Sequence, residues 1–151
     1  MSDDNIKIRL MYYDDFDAAV RIDEKILKGS RLEYYKHKFE RLFDTGEYLP
    51  TSLVAENEKG EVIGFIMGEL YIGEYGISKE GATVDTIGVD PDYRQKGIGE
   101  RLLNEFIDHL RDLQVQKINT LVDKRDTQLV NYFSKNLFSP SKTVINLERS
   151  I

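Results

Sequence analysis

The chain has 151 residues and no cysteine, which excludes disulfides, thiol nucleophiles and cysteine zinc sites, and its two histidines, His37 and His109, read as solvated surface residues and weigh against a multi-histidine metal site. Its formal net charge is −6 and no dense basic cluster appears, whereas a duplex nucleic-acid binder carries a basic face. No apolar run reaches membrane-spanning length, and the acidic start Met1-Ser2-Asp3-Asp4-Asn5 lacks the basic and apolar regions of a signal peptide. The expectation is one cytoplasmic domain over residues 1–151, with no metal, no nucleic-acid partner and no membrane partner.

Alternation of Ile6, Ile8 and Leu10 with Lys7 and Arg9 predicts a half-buried first strand. Asp14 or Asp15 can cap a helix with Phe16, Ala19, Val20 and Ile26 at helical spacing, and Gly29-Ser30 breaks it. A second helix is predicted over 31–44, with Leu32, Tyr35, Phe39, Leu42 and Phe43 toward the core, ended by Gly46 and Pro50. A strand over 52–57, a hairpin turn over 58–61 and a longer strand over 62–71 follow. Residues 73–81 read as a loop containing Glu74, Tyr75, Lys79 and Glu80. A strand over 82–89 then leads through a glycine-bearing loop into a helix over 100–113, whose apolar side is Leu102, Leu103, Phe106, Ile107, Leu110 and Leu113. A strand over 115–122, a helix over 127–135 and a final alternating strand over 142–148 complete a β-α-α-β-β-β-α-β-α-β order. That order describes an α+β domain.

The loop Val89-Asp90-Pro91-Asp92-Tyr93-Arg94-Gln95-Lys96-Gly97-Ile98-Gly99 is the one segment that states a chemistry. A helix start leaves N–H groups without intrahelical acceptors and carries partial positive charge. Gly97 and Gly99 let the backbone approach a bound group closely, and Arg94 and Lys96 add cationic side chains, an assembly suited to a pyrophosphate. A dinucleotide-binding turn would need its glycines directly behind the strand and a third glycine where Leu102 stands. A nucleotide P-loop would need Gly-Lys-Ser/Thr, which is absent.

Arg-x-x-Gly-x-Gly behind a strand ending in Val-Asp-Pro resembles the acetyl-CoA pyrophosphate loop of the GNAT superfamily of N-acetyltransferases, and the order of elements matches along essentially the whole chain. The resemblance implies a mixed, mostly antiparallel sheet flanked by helices, with strands 82–89 and 115–122 splayed to admit the pantetheine arm. It implies that Ile87, Gly88 and Val89 meet that arm, with the Val89 N–H polarising the thioester carbonyl. Gln95, Lys96, Gly97, Ile98, Gly99 and Glu100 would wrap the pyrophosphate. Gly88 fits independently, since glycine within a strand marks a bulge or a close approach; plain core packing accommodates Ile87 and Val89 equally.

Transfer to an amine requires an uncharged nitrogen, so a base is expected. Two carboxylates stand in otherwise apolar strands: Glu69 after Phe65-Ile66-Met67-Gly68, and Asp85 within Thr83-Val84-Asp85-Thr86-Ile87. Burial would raise either toward neutrality, and the family often draws its base from the strand of Glu69. The last third departs from the family pattern of an Asn, a Tyr seven residues later and a Gly-Phe pair. Those positions are Asp126, Phe133 and Leu137-Phe138, so the Tyr that would protonate the leaving thiolate has no hydroxyl. Asp126 and Phe133 would flank the cofactor arm. The expected function is acetyl-CoA-dependent N-acetylation of a primary amine, protein or small molecule, by direct transfer. A non-catalytic CoA-binding domain is the alternative, and a homodimer through a sheet edge is compatible with either.

Overall fold

A computed structural model describes residues 5–44, 51–71 and 81–151. The chain divides into two compact units, Met1–Thr120 and Leu121–Ile151. The first holds a five-stranded mixed sheet in the order β1 (Lys7–Leu10), β2 (Leu53–Glu56), β3 (Val62–Tyr71), β4 (Gly81–Val89) and β5 (Ile118–Thr120). The first three pairings are antiparallel and β4 with β5 is parallel. This is the α+β, mostly antiparallel sheet that the order of elements implied.

Residue alternation along β3 assigns the helices to the two faces. Phe65 points toward α2 (Leu32–Asp44), where its ring meets Tyr35 edge-on at 6.0 Å between centroids. The same side holds α1 (Phe16–Leu27), and Ile22, Tyr35, Phe39, Leu42, Phe65 and Met67 form one buried cluster there. Gly64 and Gly68 point to the opposite face, against Leu102 and Phe106 of α3 (Ile98–Asp112). Leu32 and Leu113, expected toward the core, are exposed at 46% and 39%, because each stands at a helix end beyond the sheet's cover.

The helix expected from 100 begins two residues earlier, at Ile98, with Gly97 as its N-cap. The strand expected over 115–122 contracts to Ile118–Thr120. In the second unit, α4 (Thr127–Lys135) forms as expected. The final strand over 142–148 does not: the segment joins no ladder among the described residues, and Val144, Ile145 and Leu147 are exposed at 54%, 76% and 84%. Alternation supplies two faces, but a strand also needs a neighbouring edge to receive its N–H and C=O groups. Gly46, Pro50, Glu74, Tyr75, Lys79 and Glu80 lie outside the described residues.

Candidate active site

Between Gly81 and Val89, β4 changes phase. At its start the Ala82 N–H donates to Lys117 O on the β5 side at 3.2 Å, and the Val84 carbonyl accepts from Thr120 Oγ1 on that same side at 3.0 Å. Just past its end the Asp90 N–H donates to Ile63 O on β3 at 2.8 Å. Regular alternation would turn all three even-numbered residues to one edge. The inversion lies at Asp85: Thr86 pairs with Met67 and Val84 with Gly68, leaving Asp85 as the extra residue of a β-bulge.

Two consequences follow. Beyond the bulge the main-chain groups of Ile87 and Val89 turn away from β3, toward the edge where the β5 ladder has already stopped at Val84–Thr120. The β4–β5 ladder has ended there with β5 itself, and Ile87 and Val89 are half-buried. Gly88 is buried with its Cα against α1: a Cβ there would stand 3.2 Å from Ile26 and 3.1 Å from the Phe65 ring. Its lack of a side chain serves packing.

The second consequence concerns side chains. Asp85 and Thr86 are sequence neighbours, yet both reach α2. Thr86 Oγ1 lies 2.7 Å from the Tyr34 hydroxyl, and Asp85 Oδ2 accepts from Lys38 Nζ at 2.8 Å. Lys38 Nζ also donates to Glu69 Oε2 at 3.0 Å, and Arg41 Nε stands 3.1 Å from Glu69 Oε1. Tyr34, Lys38 and Arg41 recur at helical spacing, one stripe of α2 laid over β3 and β4. The two carboxylates singled out in the sequence are thus brought together on one ammonium.

Their environments differ. Burial pushes the Asp85 carboxyl above its ordinary range, with Lys38 opposing and the charge of Glu69 adding. Burial works in the same direction on Glu69, but hydrogen bonds from Lys38 and Asp85 and the charges of Lys38 and Arg41 outweigh it, holding that carboxyl below its usual range. Burial opposes the Lys38 charge, yet its two carboxylates keep the ammonium above the ordinary lysine value. Lys38 and Arg41 escaped the sequence reading because 33–41 carries charge on most positions. The available signal was two carboxylates in apolar strands needing a cation, and Lys38 at the margin of the Tyr35–Phe39 apolar stripe.

The loop after β4 is pinned at its start. The Asp90 carboxylate accepts from Lys25 Nζ at 2.7 Å and from the Asp92 N–H at 2.9 Å, closing a 3-10 turn over Pro91–Tyr93. Burial disfavours its charge, but these donors keep the Asp90 carboxyl below its usual range. Gln95 (φ 64°) and Gly97 (φ 74°) then both adopt the left-handed conformation, an uncommon choice for a glutamine. Gly97 at the N-cap of α3 brings no side chain to its first turn, and among the described residues a Cβ on it would meet nothing within 4 Å. Arg94, Gln95, Lys96, Gly97 and Glu100 are exposed, Gly99 is half-buried, and Ile98 turns into the core. Lys96 Nζ lies over the Tyr93 ring, 5.5 Å from its centroid. A helix start with a left-handed glycine at its N-cap and two nearby cations fit a pyrophosphate.

The remaining candidates lie in the second unit. Asp126 is the N-cap of α4, its carboxylate accepting from the Leu129 N–H at 3.1 Å. Phe133 is buried, 5.0 Å from the Phe138 ring between centroids. Leu137 follows in the left-handed region at φ 72°, with the Leu137 N–H on Ser134 O and the Phe138 N–H on Phe133 O. That is a Schellman motif, whose pivot favours glycine, the residue the family pattern carries there. Among the described residues no acidic, His or Cys group could hold a metal, and no helix is long and apolar enough to cross a membrane.

The acetyltransferase (GNAT) family model matches residues 15–137, and the chain belongs to this family. It is 34% identical over 91 residues to mycothiol acetyltransferase of Propionibacterium freudenreichii subsp. shermanii, a match covering 60% of this chain and 28% of that protein. It is 46% identical over 55 residues to N-alpha-acetyltransferase RimI of Mycobacterium tuberculosis, covering 32% of this chain and 35% of that one. The matches thus span about a third of the length of these curated relatives. Among solved structures, aminoglycoside N-acetyltransferase AAC(6')-Iy in complex with CoA superposes with a TM-score of 0.75 at 17% identity, covering 97% of this chain and 95% of that one. At that identity the likeness concerns the fold.

Proposed function

We propose that this protein is an acetyl-CoA-dependent N-acetyltransferase that moves the acetyl group directly to a primary amine on a small molecule or a protein, in the cytoplasm. The observation that carries this reading is the phase inversion in β4. One strand carries the main chain of Ile87 and Val89 past the end of the β5 ladder and carboxylates on the α2 face, and it leads straight into the Gln95–Gly97 loop. On this reading Ile87 and Val89 bind the pantetheine arm, and Arg94 with Gln95, Lys96, Gly97, Ile98, Gly99 and Glu100 holds the pyrophosphate. The Val89 N–H stabilises charge on the acyl oxygen, a contribution of about 2.7–4 kcal/mol for such a donor. Glu69 or Asp85 removes the proton from the acceptor nitrogen. Acetyl-CoA supplies an activated acyl group, and no metal takes part. The similarity to acetyltransferases named for mycothiol, RimI and aminoglycoside supports an amine acceptor of either size.

A non-catalytic CoA-binding role is favoured by one observation, the buried Phe133 without a hydroxyl. A thiol with a pKa near 8.5 leaves tolerably as the thiolate, so the missing acid slows turnover rather than forbidding it. A thermal-shift titration with acetyl-CoA, CoA, ATP and NAD, followed by an amine panel, tests both. Ligand at 100 times its Kd adds about 2.7 kcal/mol, or about 5–11 °C at this size. A shift by CoA species with turnover supports the enzyme; a shift without turnover supports the binding role; no CoA shift removes both.

A further inference from the structure

Resting on the acetyl-transfer reading, we propose that Asp85 is the general base, acting through Oδ1, that Lys38 is its positioning residue, and that Glu69 is a fixed anchor rather than the base.

The geometry separates the two carboxylates. Glu69 is engaged at both oxygens, Oε2 by Lys38 and Oε1 by Arg41. Among the described residues Asp85 meets Lys38 through Oδ2 alone, which leaves Oδ1 outside that ion pair, and its other side-chain partner is the Glu69 carboxyl. Among the described residues the groups facing the cluster are Tyr34, Lys38 and Arg41 from α2, Glu69 from β3, and Asp85 and Thr86 from β4. The Tyr34 hydroxyl is turned to Thr86, so Lys38 is the group that fixes the Asp85 carboxylate.

Asp85 is also the residue the bulge re-aims. It stands two positions before Ile87, past the end of the β5 ladder at Val84, whereas Glu69 sits across the β3–β4 ladder opposite Thr83, where β5 still pairs. A base must reach the nitrogen that attacks beside Ile87 and Val89. In the step, the acceptor ammonium gives one proton to Asp85 and its freed electron pair bonds the acyl carbon of the thioester donor. The carbon–sulfur bond breaks with its pair leaving on sulfur, and the second nitrogen proton ends there.

Lys38 has two tasks here. It holds Oδ2 so that Oδ1 points consistently, and its positive charge favours the ionised form that can accept a proton. Removing it leaves two adjacent carboxylates, one of which must then keep its proton to higher pH.

The test is the pH dependence of kcat/KM for the full chain with acetyl-CoA and an amine that turns over. Lys38→Met should move the acid limb up by about one pH unit or more, the size an opposite charge at this range produces. Lys38→Arg should keep the limb near its native position. Asp85→Asn should lower kcat/KM by about 10²-fold or more and flatten the limb, while Glu69→Gln, whatever its rate, should still show an acid limb. A limb unmoved in a folded Lys38→Met variant, or one lost in Glu69→Gln and kept in Asp85→Asn, overturns the assignment.

If no amine turns over, carboxyl-carbon NMR titration of Asp85 in the native chain and Lys38→Met replaces kinetics. An upward move then upholds the Lys38 coupling while the absent turnover counts against the enzyme reading. An unmoved titration overturns the coupling itself.

Discussion

Gly68→Ala isolates how tightly the bulge is built. A Cβ at Gly68 would stand 2.5 Å from Phe106 Cζ, 2.8 Å from Phe106 Cε1 and 2.5 Å from the Thr83 carbonyl oxygen. Alanine in a strand interior ordinarily stabilises by about 0.5–1 kcal/mol over glycine. Here both obstacles are fixed, since Phe106 is fully buried and the oxygen belongs to the neighbouring strand. Overpacking of this kind costs about 1–3 kcal/mol, and the main-chain obstacle places it at the upper end, so the net loss is about 2–3 kcal/mol. For a chain this size that lowers Tm by about 4–12 °C. Two sister variants calibrate the series. Gly64→Ala would meet Leu102 Cδ1 at 3.2 Å, a movable side-chain end, and should stay within about 1 kcal/mol of native. Gly29→Ala meets nothing within 4 Å and should be neutral or slightly stabilising. Adding Phe106→Leu to Gly68→Ala should not restore the native Tm, because the Thr83 oxygen remains. Scanning calorimetry of the four variants beside the native protein decides it. A Gly68→Ala Tm equal to or above native would refute the close approach of β3, β4 and α3 at the bulge.

Leu137→Gly relieves a left-handed leucine and should stabilise by about 1 kcal/mol, read as a Tm rise of about 2–4 °C; an unchanged Tm argues against the Schellman pivot. Gly97→Trp projects a large side chain into the space before α3, so the acetyl-CoA thermal shift should vanish while far-UV circular dichroism persists. A retained shift would remove the loop from cofactor binding. Glu69, held below its usual range, stabilises fully above its unfolded pKa near 4.3 and loses that contribution as pH falls through the folded value. The native Tm should therefore drop more steeply below about pH 4 than that of Glu69→Gln, and parallel curves would contradict the ion pair. Lys38, held above the ordinary lysine value, contributes fully below about pH 10.4 and loses that contribution as pH rises through its folded value. Lys38→Met should flatten this alkaline fall in Tm.

Periodicity made α1, α2, α3 and α4 legible, because each buries an apolar stripe against its surroundings and a stripe leaves a period in the sequence. The loop was legible for a different reason: Gly97 and Gly99 between Arg94 and a helix mark a backbone conformation as well as a composition. The bulge at Asp85 left no such mark. Thr83-Val84-Asp85-Thr86-Ile87 contains no glycine or proline, and a half-buried strand reads the same in either phase. Lys38 was hidden by its company, since Lys36 and His37 beside it are exposed. The segment 142–148 shows the converse error, a correct two-residue period without the partner edge that turns a period into a strand.

The bulge also explains why one strand can serve two chemistries that ordinary β-geometry keeps apart. In a regular strand, shifting the main-chain phase by one residue shifts every side chain with it. A residue added at Asp85 breaks that linkage locally. Before it, β4 spends its outward N–H and C=O groups on β5; after it, the outward groups of Ile87 and Val89 face an edge where β5 has ended. Meanwhile Asp85 and Thr86 share the α2 face, so an acidic group stands just past the end of the β5 ladder without being part of it. The lysine on α2 then has a structural reason to exist. An unpaired, largely buried carboxylate at a bulge would weaken the distortion that positions it, and one ammonium shared with Glu69 stabilises the bulge while leaving an Asp85 oxygen outside the pair. Main-chain phase and carboxylate placement thus have a common origin in a single extra residue.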